Sequence, residues 1–307
     1  MSSIDNNREQ LKNVEAYTRI LNMSHLIAPI NEDDVPMYST TELKSVEVDT
    51  SSPQNSEKLV DMSLYGIKTL AYYKEEAHNN PTYNSDISGA PDIIYAREGV
   101  CEKLKKVNED LSPLGLEIIV YDAHRSPATQ KRLYMHFVKV AYQKGLNGED
   151  AQNFAAQYCS NPEGFDKNNP KTWTMHSTGA AVDVYLLDKK TGRIIDMGEG
   201  YFDNPNEVTH TRHYEVLEKN GSLTDEQKSA LLARRILFNV MKNNGFYNYG
   251  SELFHYEYEG LIKAKVLSEK SGKPVMAKYG YIQSPADNAK ANIITSLLLN
   301  TKNHEKQ

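Results

Sequence analysis

The chain has 307 residues, of which 39% are hydrophobic, and a formal net charge of −6. This length and apolar content suffice for one large globular domain or two modest ones with a buried core. The acidic balance, without a basic stripe, argues against nucleic acid or an anionic membrane surface as the main partner. The two cysteines, Cys101 and Cys159, are too few for a disulfide framework or a cysteine-rich zinc module. Any bound metal must therefore rely on histidine and carboxylate ligands.

The start of the chain has no features of a targeting segment. Residues 1–10 are polar, and neither the cationic region nor the apolar stretch of a signal peptide follows them. No run of residues approaches the roughly 20 apolar positions of a membrane-spanning helix. We therefore expect a cytoplasmic protein that does not enter a membrane, while export without a cleaved signal stays open. The sequence does not indicate an oligomeric state.

Composition changes along the chain divide it into three parts. Residues 1–60 are predicted to form an N-terminal extension, a short amphipathic helix followed by a polar linker. Residues 61–260 form the main domain. Residues 261–307 are predicted to be a C-terminal segment that packs on this domain, with a helix over 286–299 and a polar tail.

Strands and helices are expected throughout the main domain, each from a local signal. Runs of β-branched and aliphatic residues predict strands, and a capping residue followed by an apolar stripe predicts a helix. Strands are expected over residues 116–121, 181–187 and 252–258, and beyond the domain over 279–283. Helices are expected over residues 93–111 after a strand tip, over 127–145, and from the capping box at Thr224 to Gly245.

The stretch from His176 to Asp183 contains a candidate pair of metal ligands. A catalytic zinc site takes three protein ligands from His, Asp, Glu or Cys and leaves one position for water. Gly179 would allow a tight turn into a strand in which Asp183 points away from the apolar face of Val182 and Val184. The alternative is that His176 caps a loop and that Asp183 is an ordinary exposed strand residue.

His255 is the natural third ligand, because its aromatic strand can pair beside the Asp183 strand. Residues three apart in a regular strand face opposite sides, so Glu252 shares a cleft with His255 only from a bend at the strand entry. A carboxylate there would take the proton of a metal-activated water. The alternative is a surface role for Glu252 and an aromatic-cluster role for His255. His210 and His213, three residues apart, are favoured as loop residues over a second metal site.

Taken together, these motifs resemble those of the VanX-type D-alanyl-D-alanine dipeptidases and the wider zinc D,D-peptidase superfamily. The resemblance covers about residues 61–258. The family pattern Ser-x-His-x-x-Gly-x-Ala-x-Asp is matched from Thr174 to Asp183, with threonine in place of the leading serine. The family's Glu-Trp-Trp-His is matched from Glu252 to His255, where leucine and phenylalanine replace both tryptophans. This departure bears on the shape of the substrate pocket rather than on the chemistry.

Two further motifs carry roles that the resemblance implies. The family's Asp-x-Tyr-Arg-Pro corner is matched from Asp122 to Pro127, with histidine in place of tyrosine and one residue inserted before proline. By resemblance, Arg125 stabilises the oxyanion of the tetrahedral intermediate, a role suited to a preorganised cation. The family's Met-Gly-x-x-Phe-Asp is matched from Met197 to Asp203 with one extra residue, and Asp203 would hold the free amine of the substrate.

The fold implied is an α+β domain with a central antiparallel sheet and flanking helices, similar to the zinc D,D-peptidases. The implied activity is zinc-dependent hydrolysis of D-alanyl-D-alanine, with Glu252 as general base and one zinc ion held by His176, Asp183 and His255. The alternatives are a D,D- or L,D-carboxypeptidase acting on longer cell-wall peptides, or a non-catalytic metal-binding module. Two histidines and one carboxylate also suit other divalent ions.

Overall fold

The computed structural model describes Val14 and residues 22–202, 205–221 and 223–285. Asp203 and the helix expected over 286–299 lie outside the described residues. The expected N-terminal helix also lies outside them, apart from Val14, which is helical and buried. Among the described helices, none combines the length and the apolar character that crossing a membrane requires.

Strands and helices are interspersed along the described part of the chain. The strands are β1 Leu59–Asp61, β2 Lys68–Thr69, β3 Tyr95–Arg97, β4 Leu116–Asp122, β5 Ala181–Asp188, β6 Phe246–Asn248 and β7 His255–Tyr258. The α-helices are α1 Thr40–Lys44, α2 Tyr72–Glu75, α3 Glu98–Leu111, α4 Pro127–Gln143, α5 Gly148–Ala156, α6 His213–Lys219, α7 Asp225–Asn243 and α8 Leu261–Ser271. Short 3-10 turns lie between them, and the turn Met175–Thr178 leads into β5.

The central sheet has five described strands in the order β2-β4-β5-β7-β6. The pairs β4–β5, β5–β7 and β6–β7 are antiparallel, whereas β2 pairs with β4 in parallel. A parallel pair needs a crossover connection, and α2, β3 and α3 provide it between β2 and β4. The predicted α+β fold with a central antiparallel sheet and flanking helices is confirmed, and the parallel edge strand is an addition to it.

Strand β5 lies at the centre of the core, and every residue from Ala181 to Asp188 is buried. Helix α3 contacts β4, α7 contacts β5 and β6, and the two helices contact each other, so they cover one face of the sheet together. Val107 of α3 and Leu237 of α7 belong to the same apolar cluster as Val184 of β5. Burying each such side chain contributes roughly 1.5–3 kcal/mol, which holds the strands that carry the site in register.

Two helices begin at the residues that the sequence predicts. Ser126 caps α4 by accepting a hydrogen bond from the Thr129 amide, and Pro127 is the first residue of that helix. Thr224 and Gln227 form the expected capping box of α7. Such caps contribute about 1 kcal/mol each, and both predicted helix starts are confirmed.

Two strand predictions need correction. The aromatic strand begins at His255 rather than at Glu252, because a turn occupies the residues before it. The prediction of a strand over 279–283 is wrong, since this segment joins no ladder among the described residues. Its Tyr279 is buried in the core and its Ile282 amide donates to a turn carbonyl, so packing produces the strand-like pattern.

Segments from both ends of the described chain pack on each other beside the sheet. Val48 and Ala277 form an isolated parallel bridge, and the Gly280 amide donates to Asn55 Oδ1 at 2.8 Å. These contacts connect the end of the N-terminal extension with the C-terminal segment. The division of the chain near residues 60 and 260 stays a prediction.

Candidate active site

The three expected metal ligands meet at the centre of the sheet. Ligand atoms of His176, Asp183 and His255 all lie within 4.8 Å of one another, and the three residues are buried. Asp183 and His255 are direct partners in the antiparallel pairing of β5 with β7, and His255 Nδ1 lies 3.1 Å from Asp183 Oδ1. Residues directly opposite in an antiparallel ladder have neighbouring side chains, so the strand pairing itself brings these two candidate ligands together.

His176 reaches the site from the 3-10 turn Met175–Thr178. Its Nδ1 atom lies 2.7 Å from the Ala123 carbonyl oxygen, which can only accept a hydrogen bond. Nδ1 therefore carries the proton, and Nε2, which lies 3.6 Å from Asp183 Oδ2, is the atom left to bind a metal. Gly179 ends the turn at φ 73°, a conformation that favours glycine, and lets the chain enter β5 directly.

Burial determines the charge of both histidines. It lowers the pKa of His176 well below its usual value, with the nearby Arg125 cation as a further cause, and it lowers the pKa of His255. Both rings are therefore neutral near pH 7, and neutral imidazole is the form that ligates metals. Two neutral histidines and one carboxylate at these distances fit a single divalent cation such as zinc.

A β-bulge places a second carboxylate beside this cluster. Strands β4 and β5 pair regularly up to Val120, and the register then shifts so that Asp122 lies opposite Asp183. The extra residue, Tyr121, changes the direction of the Asp122 side chain that follows it, as bulges next to active sites do. Asp122 Oδ2 consequently lies 3.5 Å from His176 Nδ1.

Asp122 also orients Arg125, the predicted oxyanion residue. The guanidinium donates to Asp122 Oδ2 from Nε at 2.9 Å and from Nη2 at 2.5 Å. Nη1 donates to Gln130 Oε1 and Nη2 to the Tyr73 hydroxyl, each at 2.9 Å. Burial opposes the charge, but the Asp122 carboxylate raises the pKa of Arg125, which therefore stays a cation. The result is a buried, fixed positive charge on the wall of the cleft.

Glu252 lies in the turn that precedes β7, which is where a shared cleft with His255 requires it to be. Its Oε2 atom is 3.6 Å from His255 Nδ1, and its side chain is 33% exposed. Asn248 closes this turn, because its Nδ2 donates to the carbonyl oxygens of both Glu252 and His255. Glu252 thus combines solvent access with proximity to the metal ligands, as a proton-transferring carboxylate must.

The site opens into a cleft of about 460 Å³, a volume within the usual range of small-ligand pockets. Several further residues line it whose participation the sequence did not reveal: Thr40, Tyr73, Gln130, Cys159 and Tyr249. Gln130 lies in the first turn of α4, shortly after Arg125 in the chain. Its position in the sequence could therefore have indicated that it belongs to the site. Thr40 comes from the N-terminal extension, where no local signal pointed to the site.

The two histidines considered as a second metal site lie apart from the ligand cluster. His210 lines the cleft and also a second groove, of about 1010 Å³, that adjoins it, whereas His213 lines only this second groove. The group of metal-ligating side chains among the described residues contains neither of them. His210 lies in the loop before α6, as expected, whereas His213 is the first residue of that helix, so the loop prediction is wrong for His213.

His124, next to Arg125, gives a testable pH dependence of stability. Burial lowers the pKa of His124 to about 4 from the usual 6.5. Between these values the unfolded chain binds a proton that the folded protein does not, so stability falls as the pH decreases from 6.5 to 4. The difference corresponds to at most about 3 kcal/mol.

We expect His124→Gln to remove this part of the pH dependence, because glutamine keeps a hydrogen-bond donor and does not titrate. Urea unfolding at pH 7 and pH 4.5 measures it: the free energy of unfolding should fall less in the variant than in the wild type. Equal losses in the two proteins would contradict the buried, neutral state of His124.

A central sheet that presents two histidines, an aspartate and a nearby glutamate in one cleft has the composition of a mononuclear metallopeptidase site. A family model described as D-ala-D-ala dipeptidase, peptidase M15, matches residues 74–269, more than half of the chain. The chain belongs to this family, and the predicted family and peptidase class are confirmed.

The chain is similar to D-alanyl-D-alanine dipeptidases of several bacteria. It is 30% identical to that of Synechocystis sp. over 209 residues, which are 65% of this chain and 81% of the relative. It is 26% identical to that of Streptomyces coelicolor over 165 residues, 53% of this chain and 72% of the relative. A solved structure of VanYB in complex with D-Alanine-D-Alanine shares 20% identity, covering 61% of this chain and 82% of that chain. Its TM-score of 0.31 is too low to bear on the fold.

Proposed function

We propose that this chain hydrolyses D-alanyl-D-alanine to two molecules of D-alanine in a zinc-dependent reaction. The observation that carries the proposal is the meeting of the three ligand side chains with Glu252 and Arg125 in one cleft of a D-ala-D-ala dipeptidase family member. The similar bacterial proteins bear the name of the same activity. A cleft of about 460 Å³ also suits so small a peptide.

Three atoms would hold the metal, one ion per chain: His176 Nε2, a carboxylate oxygen of Asp183 and His255 Nδ1. Zinc is the preferred occupant of such a donor set, although other divalent ions suit it. When bound, a metal of this type polarises a carbonyl group and lowers the pKa of water. The Ala123 carbonyl supports binding because it fixes the ring orientation and tautomer of His176.

Glu252 acts first as general base and then as general acid. Its carboxylate accepts a proton from the attacking water as the new C–O bond forms. It then gives this proton to the amine of the leaving D-alanine as the peptide C–N bond breaks, so Glu252 returns to its starting state. Its place beside His255 Nδ1 and its partial exposure in the cleft support this role.

Arg125 stabilises the negative charge that develops on the scissile carbonyl oxygen. The side chains of Asp122, Gln130 and Tyr73 hold its guanidinium in the absence of substrate, so no reorganisation is needed during the reaction. We assign recognition of the free amine to Asp203, on the motif from Met197 to Asp203. A carboxylate in that role would favour unblocked dipeptides.

A second candidate function is that of a D,D- or L,D-carboxypeptidase that acts on longer peptides. A groove of about 1010 Å³ adjoins the cleft and shares Glu207 and His210 with it. This continuity leaves room for a peptide that extends beyond two residues. The two functions differ in whether the amine end of the substrate must be free.

The test compares D-alanine release from free D-alanyl-D-alanine and from its N-acylated form, after chelator treatment and after zinc is restored. We expect release from the free dipeptide only, lost with the chelator and regained with zinc. Cleavage of only the acylated peptide would favour the carboxypeptidase. Cleavage of neither, with zinc bound, would contradict both functions.

A small D-amino-acid peptide is thus the proposed partner of the cleft. The net charge of −6 is consistent with this choice over a polyanionic partner. The cytoplasm is the proposed location, as the sequence predicts.

A further inference from the structure

Arg97, the last residue of β3, is 1% exposed and makes hydrogen bonds to several separate parts of the chain. Its guanidinium donates to the backbone carbonyl oxygens of Thr178, Asn55, Glu57 and Gly280. Charge-assisted bonds of this kind are stronger than those between neutral groups. Burial lowers the pKa of Arg97 to about 10, so the side chain keeps its charge at neutral pH.

Two of the contacts of Arg97 reach the turn that carries His176. Nε donates to the Thr178 carbonyl oxygen at 2.8 Å, and the Arg97 amide donates to the Gly179 carbonyl oxygen at 3.0 Å. A Cβ atom on Gly179 would lie 3.3 Å from Arg97 Cγ and 2.7 Å from Leu59 Cδ2. The turn is therefore in close contact with Arg97 and has little room to shift towards it.

The other contacts of Arg97 lie outside residues 74–269, the part of the chain that the family model matches. Asn55 and Glu57 belong to the N-terminal extension and Gly280 to the C-terminal segment. These flanking segments are joined to each other, since the Asp49 amide donates to the Ala277 carbonyl oxygen at 2.8 Å.

The C-terminal segment also contacts the metal-ligand turn directly. The Ile282 amide donates to the Ser177 carbonyl oxygen at 3.2 Å. The Ile282 carbonyl oxygen in turn accepts from His124 Nε2 at 2.9 Å, next to Arg125. One residue of this segment thus connects the turn that holds His176 with the corner that holds Arg125.

We propose that Arg97 is a positioning residue for the metal site, and that the flanking segments 49–57 and 277–282 serve to hold the His176 turn in its ligating position. Arg97 touches neither the ligand atoms nor the cleft and acts through the Thr178 and Gly179 carbonyl groups. The proposal rests on the proposed function in one respect, that His176 is a metal ligand. It gives the two segments beyond the family match a role in the chemistry of the site.

The test is the zinc affinity of Arg97→Lys, measured by competition with a chromogenic chelator. Lysine keeps the positive charge but cannot make the forked set of hydrogen bonds. We expect a zinc dissociation constant about tenfold higher than that of the wild type, as found when residues that orient metal ligands are removed. D-alanine release should recover when zinc is raised to saturation, which a general loss of folding would not allow.

Arg235→Lys is the matched control, because Arg235 is a half-buried arginine held by Glu215 and Glu218 on α6. It should lower the melting temperature and leave zinc affinity unchanged. His124→Phe is a second variant, which tests the contact of the C-terminal segment because it removes the bond to Ile282. It should weaken zinc binding by less than the tenfold expected for Arg97→Lys, since His124 reaches the His176 turn only through Ile282, and His124→Gln should restore the affinity.

Three results would overturn different claims. Unchanged zinc affinity in the folded Arg97→Lys protein would overturn the positioning role of Arg97, and unchanged zinc affinity in His124→Phe would overturn the role of the segment 277–282. Both results would leave the proposed function intact. Equal zinc affinity in the wild type and in His255→Ala would instead overturn the metal site itself, and the positioning role with it.

Discussion

Replacing Glu252 with glutamine is expected to lower kcat for D-alanyl-D-alanine by about 1000-fold, the middle of the range for general acid-base groups. Glutamine keeps the shape of the side chain and cannot accept the proton from water or return it to the leaving amine. Because Glu252 is not one of the clustered ligand residues, the variant should still bind one zinc ion per chain. Steady-state kinetics and metal analysis on the same sample provide the two measurements.

Glu102→Gln on the surface of α3 is the matched control, since it removes the same charge at an exposed position away from the cleft. It should leave both kcat and zinc content unchanged. If Glu252→Gln kept full activity, the proton would have to pass through another group, and the proposed role of Glu252 would be wrong. Loss of zinc in that variant would make Glu252 a ligand instead of a base.

Replacing Arg125 with lysine is expected to lower kcat by about 100- to 1000-fold, comparable to the loss of one oxyanion-stabilising donor. Lysine carries the charge, but its ammonium cannot bond to Asp122, Gln130 and Tyr73 together while facing the substrate. The loss should fall on kcat more than on KM, because the interaction strengthens as charge develops on the oxygen.

Arg132→Lys, an exposed arginine on α4, is the matched control and should behave like the wild type. Melting temperature must be recorded for both variants, since lysine keeps the charge beside Asp122 but leaves some of the buried hydrogen-bond partners of Arg125 unpaired, which costs stability. A folded Arg125→Lys protein whose kcat is unchanged and whose KM alone rises would assign Arg125 to substrate binding rather than to the transition state.

The sequence predicted the parts of the site that lie close together in the chain. His176 and Asp183 are seven residues apart on either side of a glycine turn, so one short pattern contains both proposed ligands and the conformation that joins them. The capped helices and the buried strand β5 were likewise predictable, because caps and apolar runs act locally.

The parts that the sequence did not predict depend on contacts between distant residues. The opposition of Asp122 to Asp183 requires a bulge in the β4–β5 pairing, and the register of two strands cannot be read from either strand alone. Thr40 lines the cleft although it lies far from the motifs in the chain. The segment at 279–283 shows the reverse, a strand-like sequence pattern that packs without a β-ladder among the described residues.

The bulge at Tyr121 has a consequence for the electrostatic balance of the site. By bringing Asp122 to the cluster, it supplies the anion that neutralises Arg125, so this pair contributes no net charge. With both histidines neutral, the two carboxylate side chains of Asp183 and Glu252 are the groups beside the candidate ligand atoms that can balance the charge of a cation. When both carboxylates are ionised, a divalent cation makes this assembly electroneutral, whereas a monovalent cation would leave one negative charge uncompensated in a buried setting, where charges are costly.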